Sequence, residues 1–425
     1  VDEKPQTKRL KIALATDDVV GELMAGGGVR FHEMGRWLTT AGHDATVFAA
    51  LEREKGMCEV KLAHVRDFAK RASDFDVLVV STFPKTFVRA IEGFKGIVVH
   101  DLICPFFFEN FHSLASLPRY KRVAIETENA GVFARAAARA DYFLVATPAQ
   151  RDMWLGYLTA AGVFHADGGD PFDRFLIAPN GIDMKGPVER CDLADFGLPF
   201  APTDKVVVWA GGVHPWTDAE TLALAVGALV NERPDVKALF MGVTHPSRHT
   251  GDTASRRLLK MAGDLGLTDK SVFFLSWVPY AKRLGLIAHA SLGVMLHPPS
   301  LETHFAYRTR ILDFIAAVVP ILTSPGGYMA EFVKREGVGR IVPRPTTPKS
   351  LAALVCECLD DAKWAEGCRR NIARVKDSLA WPKAIGALAG LLASKPAPKR
   401  MPTRVEAAAK VRARVFFYNL ARRLR

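Results

Sequence analysis

Short apolar runs alternate with stretches of helical period along most of this chain. Lys11–Thr16 reads as a strand, followed by the Asp17-Asp18 pair and the Gly26-Gly27-Gly28 loop. A helix is expected from about Val29 to Thr40, ended by Ala41-Gly42, with a second strand at Ala45–Ala49. Val77–Val80, Ile97–His100, Arg122–Ile125 and Tyr142–Ala146 read as further strands, and Thr86–Gly93 and Gly131–Ala140 as helices between them. Strands alternating with helices predict an α/β fold, its parallel sheet covered on both faces.

The pattern starts again after a connector. Gly186–Asp204 holds prolines and charges without a long periodic run. A strand at Val206–Trp209, a loop at Ala210–Pro215, a helix at Asp218–Val230 and a strand at Val236–Met241 then repeat the opening. Val272–Leu275, Leu292–Met295 and Val319–Thr323 supply more strands. The expected division is a first Rossmann-like domain over 1–185, a linker over 186–204 and a second Rossmann-like domain over 205–375. Residues 376–394 are expected to be a helix packing back across the domains, and 395–425 a basic amphipathic tail. Two such units joined by a hinge suit a ligand cleft between them.

Composition narrows the class. At 425 residues the chain is long enough for two domains, and 49% hydrophobic with 24% charged residues places it among folded globular proteins. No uninterrupted apolar run is long enough to cross a bilayer, and the charged opening VDEKPQTKRLKIALATDD lacks a signal-peptide layout. A cytoplasmic location is expected, with the inner face of the cell membrane as a peripheral site. Cys58, Cys104, Cys191, Cys356, Cys358 and Cys368 show no strong metal spacing and are expected to be reduced. Of the net charge of +12, about +9 falls between Lys395 and Arg425, where ten Lys or Arg stand against Glu406. That tail carries Val411, Val415, Phe416, Phe417, Leu420 and Leu424 among its arginines, which suits an anionic membrane surface. Docking on a protein and binding nucleic acid are the other readings, the last the least favoured.

Candidate chemistry gathers at strand ends. His100, directly after Val99, is either part of a surface turn or an imidazole facing the cleft. After Trp209, Gly211 and Gly212 let the backbone approach a ligand, and His214 can reach one. Trp216 packs the turn and Thr217 or Asp218 caps the next helix. In LETHFAYRTRILDF, Arg308 and Arg310 flank Thr309 at the start of a helix, where cations gain nothing from the dipole. Arg310 either pairs with Asp313 or binds a diphosphate; Asp313 can accept ribose hydroxyls and Glu302 can face a sugar. AGGGVR lies far beyond its strand and is not G-x-G-x-x-G, and no G-x-x-x-x-G-K-[ST] occurs, which disfavours NAD dehydrogenases and P-loop nucleotidases.

In order, these segments resemble a retaining glycosyltransferase of the "group 1" type with the two-domain GT-B architecture, particularly bacterial members that build surface polysaccharides. The likeness covers about Leu10–Leu392. GGGVRFHEMGRWL resembles the family's first loop and helix, where Gly27 and Gly28 make room for ligand. VVHDLICPFF resembles the segment that gives His100 a sugar-contacting role, and WAGGVHPWTD the loop that approaches the donor diphosphate. FLSWVPYAKRLG resembles the stretch whose Trp277-Val278 backbone lies near the base. The family pattern has two glutamates with seven residues between them; here the second position is Asp313, and Phe305 stands at the first, eight residues before it. The basic pair of many relatives is absent from AGGVHPWTD.

The resemblance implies transfer of a sugar from a nucleoside diphosphate sugar to a hydroxyl of a glycan or lipid-linked acceptor. It implies no bound metal and no tightly held cofactor, and a leaving phosphate that accepts the acceptor's proton. His100, Glu302 and Arg310 are the expected catalytic residues, and Gly27, Gly28, Gly212, His214, Trp216, Asp218, Trp277, Val278, Thr309 and Asp313 the ligand-binding ones. A nucleotide-sugar-binding protein without turnover is the alternative from a different class.

Overall fold

A computed structural model describes residues 9–51, 60–164, 169–184, 186, 188–246 and 253–394. The basic tail and Cys58 lie outside these residues. Two all-parallel sheets account for the strands. The first runs β3-β2-β1-β4-β5-β6-β7, from β1 (Lys11–Val20), β2 (Asp44–Leu51), β3 (Lys61–His64), β4 (Val77–Val80), β5 (Ile97–Asp101), β6 (Tyr142–Val145) and β7 (Phe175–Ile177). The second runs β10-β9-β8-β11-β12-β13, from β8 (Lys205–Ala210), β9 (Val236–Met241), β10 (Val272–Leu275), β11 (Leu292–Met295), β12 (Ile321–Thr323) and β13 (Gly339–Ile341). Strand order reverses between β1 and β4 and again between β8 and β11, the places where a doubly wound sheet opens a crevice.

Most strands fall where the apolar runs lie, because a sheet buried on both faces needs continuous hydrophobic sequence. β4 is buried at all four positions, as is β11. Three differences stand out. β1 runs on to Val20 through a bulge between Ala15 and Val19, so Asp17 and Asp18 sit in the strand rather than in a loop. Arg122–Ile125 is no strand; it lies inside the Arg119–Arg139 helix, whose alanine-rich second half seats Phe133, Ala136 and Ala137 in the core. The short strands β3, β7 and β13 have too little sequence of their own to be recognised by pattern.

The chain crosses between domains twice. It passes forward through the segment after Ile182, and returns at residues 379–381 into helices Trp381–Ala384 and Gly386–Ala393. These crossings are bonded to each other: Ile182 N–H donates to Leu379 at 2.9 Å, and Trp381 N–H to Ile182 at 3.2 Å. Trp381, Ala384, Ile385, Leu388 and Leu392 then pack into the core of the first domain with Ile12, Leu14 and Leu144. Gly181 lies against the Trp381 backbone, where a Cβ would come within 2.6 Å of its Cα.

Candidate active site

The cleft between the domains encloses about 360 Å³, within the range of small-molecule sites. Its walls meet through direct bonds. Trp277 Nε1 donates to the Met24 carbonyl at 3.2 Å, Tyr280 N–H to Glu22 at 2.9 Å, and Gln150 Nε2 to Phe305 at 2.8 Å. On the first-domain wall, the Gly26–Thr40 helix opens onto the cleft with Gly26 and Gly27. A Cβ at Gly27 would collide with the Asp18 carboxylate, and one at Gly28 with the Val19 carbonyl. Gly27 thus lines the cavity, while Gly28 serves the close packing of helix on strand. Arg30, one turn on, is buried and bonded through four of its five N–H groups: it holds Asp101 at 2.6 and 3.0 Å, Asn180 at 2.9 Å and the Ala178 carbonyl at 2.8 Å. That network fixes Asn180 at the cleft edge.

His100 is not brought to the cleft. It is fully buried on β5, its ring 5.3 Å from Phe133 and its Nε2 3.0 Å from the Thr82 carbonyl. Burial pushes its pKa down to about 4, so the imidazole is neutral near pH 7. The strand extends one residue further than expected, and Asp101 takes the polar position with Arg30.

The second-domain wall assembles most of the expected donor-side residues. Gly211, at φ +95°, and Gly212 turn the chain after β8 so that Arg310 packs over them. Arg310 Nη2 donates to the Gly212 carbonyl at 3.0 Å, and no carboxylate pairs with its guanidinium among the described residues. Burial first, then the neighbouring Arg308, draws Arg310 down to about 10. His214 stacks flat on Trp216, centroids 4.7 Å apart and 2° from parallel, and both line the cleft. Burial, with Arg310 and His245 adding, holds His214 well below the usual imidazole range, and its Nδ1 has no protein partner. Trp277 covers Gly242 and lines the cavity with Val278 and Thr309. Asp218 stays out of the cavity; its Oδ1 caps the Ala219–Ala228 helix through Thr221 N–H at 3.3 Å.

The acids in the expected motif are held by arginines. Glu302, 1% exposed on the Leu301–Phe305 helix, grips Arg308 in two prongs of 2.7 and 2.5 Å. Asp313 pairs with Arg283 at 3.0 Å rather than with Arg310, and burial raises its pKa. Phe305 stacks on Phe108 of the first domain at 5.4 Å. Sequence reasoning missed Arg283, Glu109 and Cys104, which also line the cavity. Arg283 sits on a separate helix, Tyr280–Ile287, and only the tertiary fold brings it to Asp313. Among the described residues no group of three or more His, Cys, Asp or Glu could hold a metal ion, and no helix is long and apolar enough to cross a membrane.

Comparison with known proteins follows the same lines. Residues 204–361 match the family described as glycosyl transferases group 1. No curated protein matches the sequence. Among solved structures, Anabaena HepE in complex with UDP-glucose superposes with a TM-score of 0.66 at 15% identity, over 91% of this chain and 100% of that one. WaaG, a glycosyltransferase involved in lipopolysaccharide biosynthesis, gives 0.62 at 16% identity over 88% and 99%. Sucrose-phosphate synthase from Thermosynechococcus elongatus gives 0.61 at 17% over 91% and 99%. Two Rossmann-like domains facing across a cleft, superposing along almost their whole length on these structures, are the GT-B fold.

Proposed function

We propose that this chain is a retaining glycosyltransferase that moves a sugar from a nucleoside diphosphate sugar to a hydroxyl of a glycan or lipid-linked acceptor. The observation that carries the reading is Arg310, a guanidinium at the first turn of the Thr309–Ala316 helix, facing the cleft with one carbonyl partner and no counter-ion among the described residues. A diphosphate supplies what that group lacks. Charge grows on the leaving diphosphate in the transition state, so fixed cations and turn amides beside it lower the barrier. Arg308 stays oriented by Glu302, and neutral His214 offers a ring nitrogen without adding charge. Asp313 meets ribose hydroxyls, with Arg283 keeping the carboxylate in place. Trp277 and Val278 flank the base, and Glu302 lies toward the sugar.

The similarity to WaaG and HepE supports a role in bacterial surface polysaccharide synthesis. A cytoplasmic enzyme working at the membrane through its basic tail accords with the +9 carried by residues 395–425. The test is nucleoside diphosphate release from a panel of sugar nucleotides, with and without extracted lipid-linked glycans, and the anomeric form of the product read by NMR. Acceptor-dependent release that collapses in Arg310→Ala and gives a retained anomer is expected. Tight binding without release in folded protein would instead mark a binding protein, and an inverted anomer would refute retention.

A further inference from the structure

A second cavity adjoins the cleft and shares Asn180 and Tyr307 with it. It encloses about 540 Å³, more than the cleft itself. Three parts of the chain wall it. Pro179 and Asn180 belong to the first domain, and Tyr307, Arg374 and the Tyr328–Glu336 helix to the second. Leu379, bonded to Ile182 where the two crossings meet, and Lys383 of the Trp381–Ala384 helix complete it. Whatever fills this space touches both domains and the hinge between them.

Its chemistry is one-sided. Three cations, Arg335, Arg374 and Lys383, line it against a single acid, Glu336. Glu336 is already taken up by Arg335 at 2.9 Å and Arg374 at 3.1 Å. Lys383, exposed, forms no ion pair among the described residues. Tyr328, 43% exposed, holds its ring 6.1 Å from that of Tyr307. Tyr307 and Asn180 are buried, yet the Tyr307 hydroxyl and the Asn180 amide nitrogen have no hydrogen-bond partner among the described residues. Buried polar groups are rarely left so, and here both border a cavity. The basic 395–425 tail has the wrong sign to fill it.

We propose that this cavity is an effector site for a phosphorylated sugar, coupled through Asn180 and Tyr307 to the cleft. Arg374 and Lys383 take the phosphate, the tyrosine rings flank the sugar ring, and the unpaired amide and hydroxyl meet its hydroxyls. A phosphate alone would leave most of about 540 Å³ unfilled. The cavity exists in the same arrangement that bonds Trp277 to Met24 and Gln150 to Phe305 across the cleft. A ligand fitting it therefore favours that arrangement and strengthens nucleotide binding. The coupling rests on the transferase reading; the site does not.

The experiment uses the full chain. Thermal shift against UDP, GDP, ADP, CDP and dTDP selects the nucleotide. Isothermal titration then follows the 1- and 6-phosphates of glucose, mannose and galactose, the free sugars, and inorganic phosphate, with and without that nucleotide. At least one sugar phosphate is expected to bind one to one, at least ~10-fold tighter than its free sugar or inorganic phosphate. It should tighten the nucleotide about fivefold or more and be tightened by it equally. Lys383→Glu should weaken the sugar phosphate at least ~10-fold and leave nucleotide binding alone. Tyr328→Ala should weaken the sugar phosphate and spare inorganic phosphate, and Arg310→Ala should leave both in place. No saturable binding across the panel in folded protein overturns the proposal, as does unchanged affinity in Lys383→Glu. Displacement of the sugar phosphate by nucleotide would put it in the donor cleft and overturn it too. Inorganic phosphate binding as tightly as every sugar phosphate would mean an adventitious ion only. Nucleotide affinity indifferent to bound sugar phosphate overturns the coupling. Failure of every nucleoside diphosphate to bind would strike instead at the transferase reading, with the sugar phosphate titration still deciding this site.

Discussion

Replacing Arg310 by Met should weaken ligand binding and strengthen the fold at once. Arg310 is a cation held beside a second arginine, with the Gly212 carbonyl as its hydrogen-bond partner and no carboxylate in ion-pair contact among the described residues. Burial and Arg308 lower its pKa to about 10, a displacement equivalent to about 3 kcal/mol against the charged form. The sign is unfavourable to folding: the guanidinium is charged in both states at neutral pH, so the folded state bears this cost at every pH below about 10. Solvent reaching the cleft discounts it to about 2 kcal/mol, and losing the bond to Gly212 takes back about 1 kcal/mol. A net gain near 1 kcal/mol corresponds to a rise in Tm of about 2–4 °C for domains of this size. Loss of a charge-assisted contact to diphosphate should meanwhile cost about 2–3 kcal/mol, or some 30- to 150-fold in Kd. Differential scanning calorimetry and isothermal titration with the selected nucleoside diphosphate measure both. A lower Tm with unchanged Kd would refute the reasoning, because Arg310 would then be a structural arginine whose cost had been misjudged.

Other expectations follow from single contacts. Gly211→Ala puts a Cβ 2.5 Å from Arg310 Nε at a φ of +95°, so a strain of about 1–2 kcal/mol and a nucleotide Kd weakened at least ~10-fold are expected by calorimetry. Trp277→Phe removes the bond to Met24; the loss of about 1 kcal/mol should speed amide exchange roughly fivefold at residues 22–30, and unchanged exchange would show the bond idle. His100, depressed to about 4, should drain stability as pH falls from about 6.5 toward 4, since the unfolded chain then binds the proton first. Urea unfolding at about pH 7 and 4.5 should show that gap narrowed by about 2–3 kcal/mol in His100→Gln.

What was legible in the sequence depended on range. Apolar runs such as VLVV and LGVM gave strands because burial on both faces is written locally. The Val123-Ala124-Ile125 run misled because three apolar residues in a row suit one turn of a long helix as well as a strand. His100 looked exposed because its strand was taken to end there, whereas pairing of Asp101 with Leu144 carries β5 one residue on. The Arg310 environment was foreseeable from an arginine at a helix start. The partners of Asp313 and Glu109 were not, since Arg283 and Glu302 reach them from other helices and, for Glu109, from the other domain. Asp218 served as the cap its position allowed.

The return of residues 381–392 to the first domain bears on the order in which the chain is made. Trp381, Ile385, Leu388 and Leu392 complete the core over β1 and β6 beside Val29, Met34 and Leu38 of the Gly26–Thr40 helix, so part of that side of the first sheet stays uncovered while everything between is synthesised. By then the whole 205–375 stretch has left the ribosome and has had time to fold by itself. The domain translated first is thus the one finished last, against the usual N-terminal-first order. A chain released before residue 381 would pair a folded second domain with a first domain that leaves an apolar patch open to water.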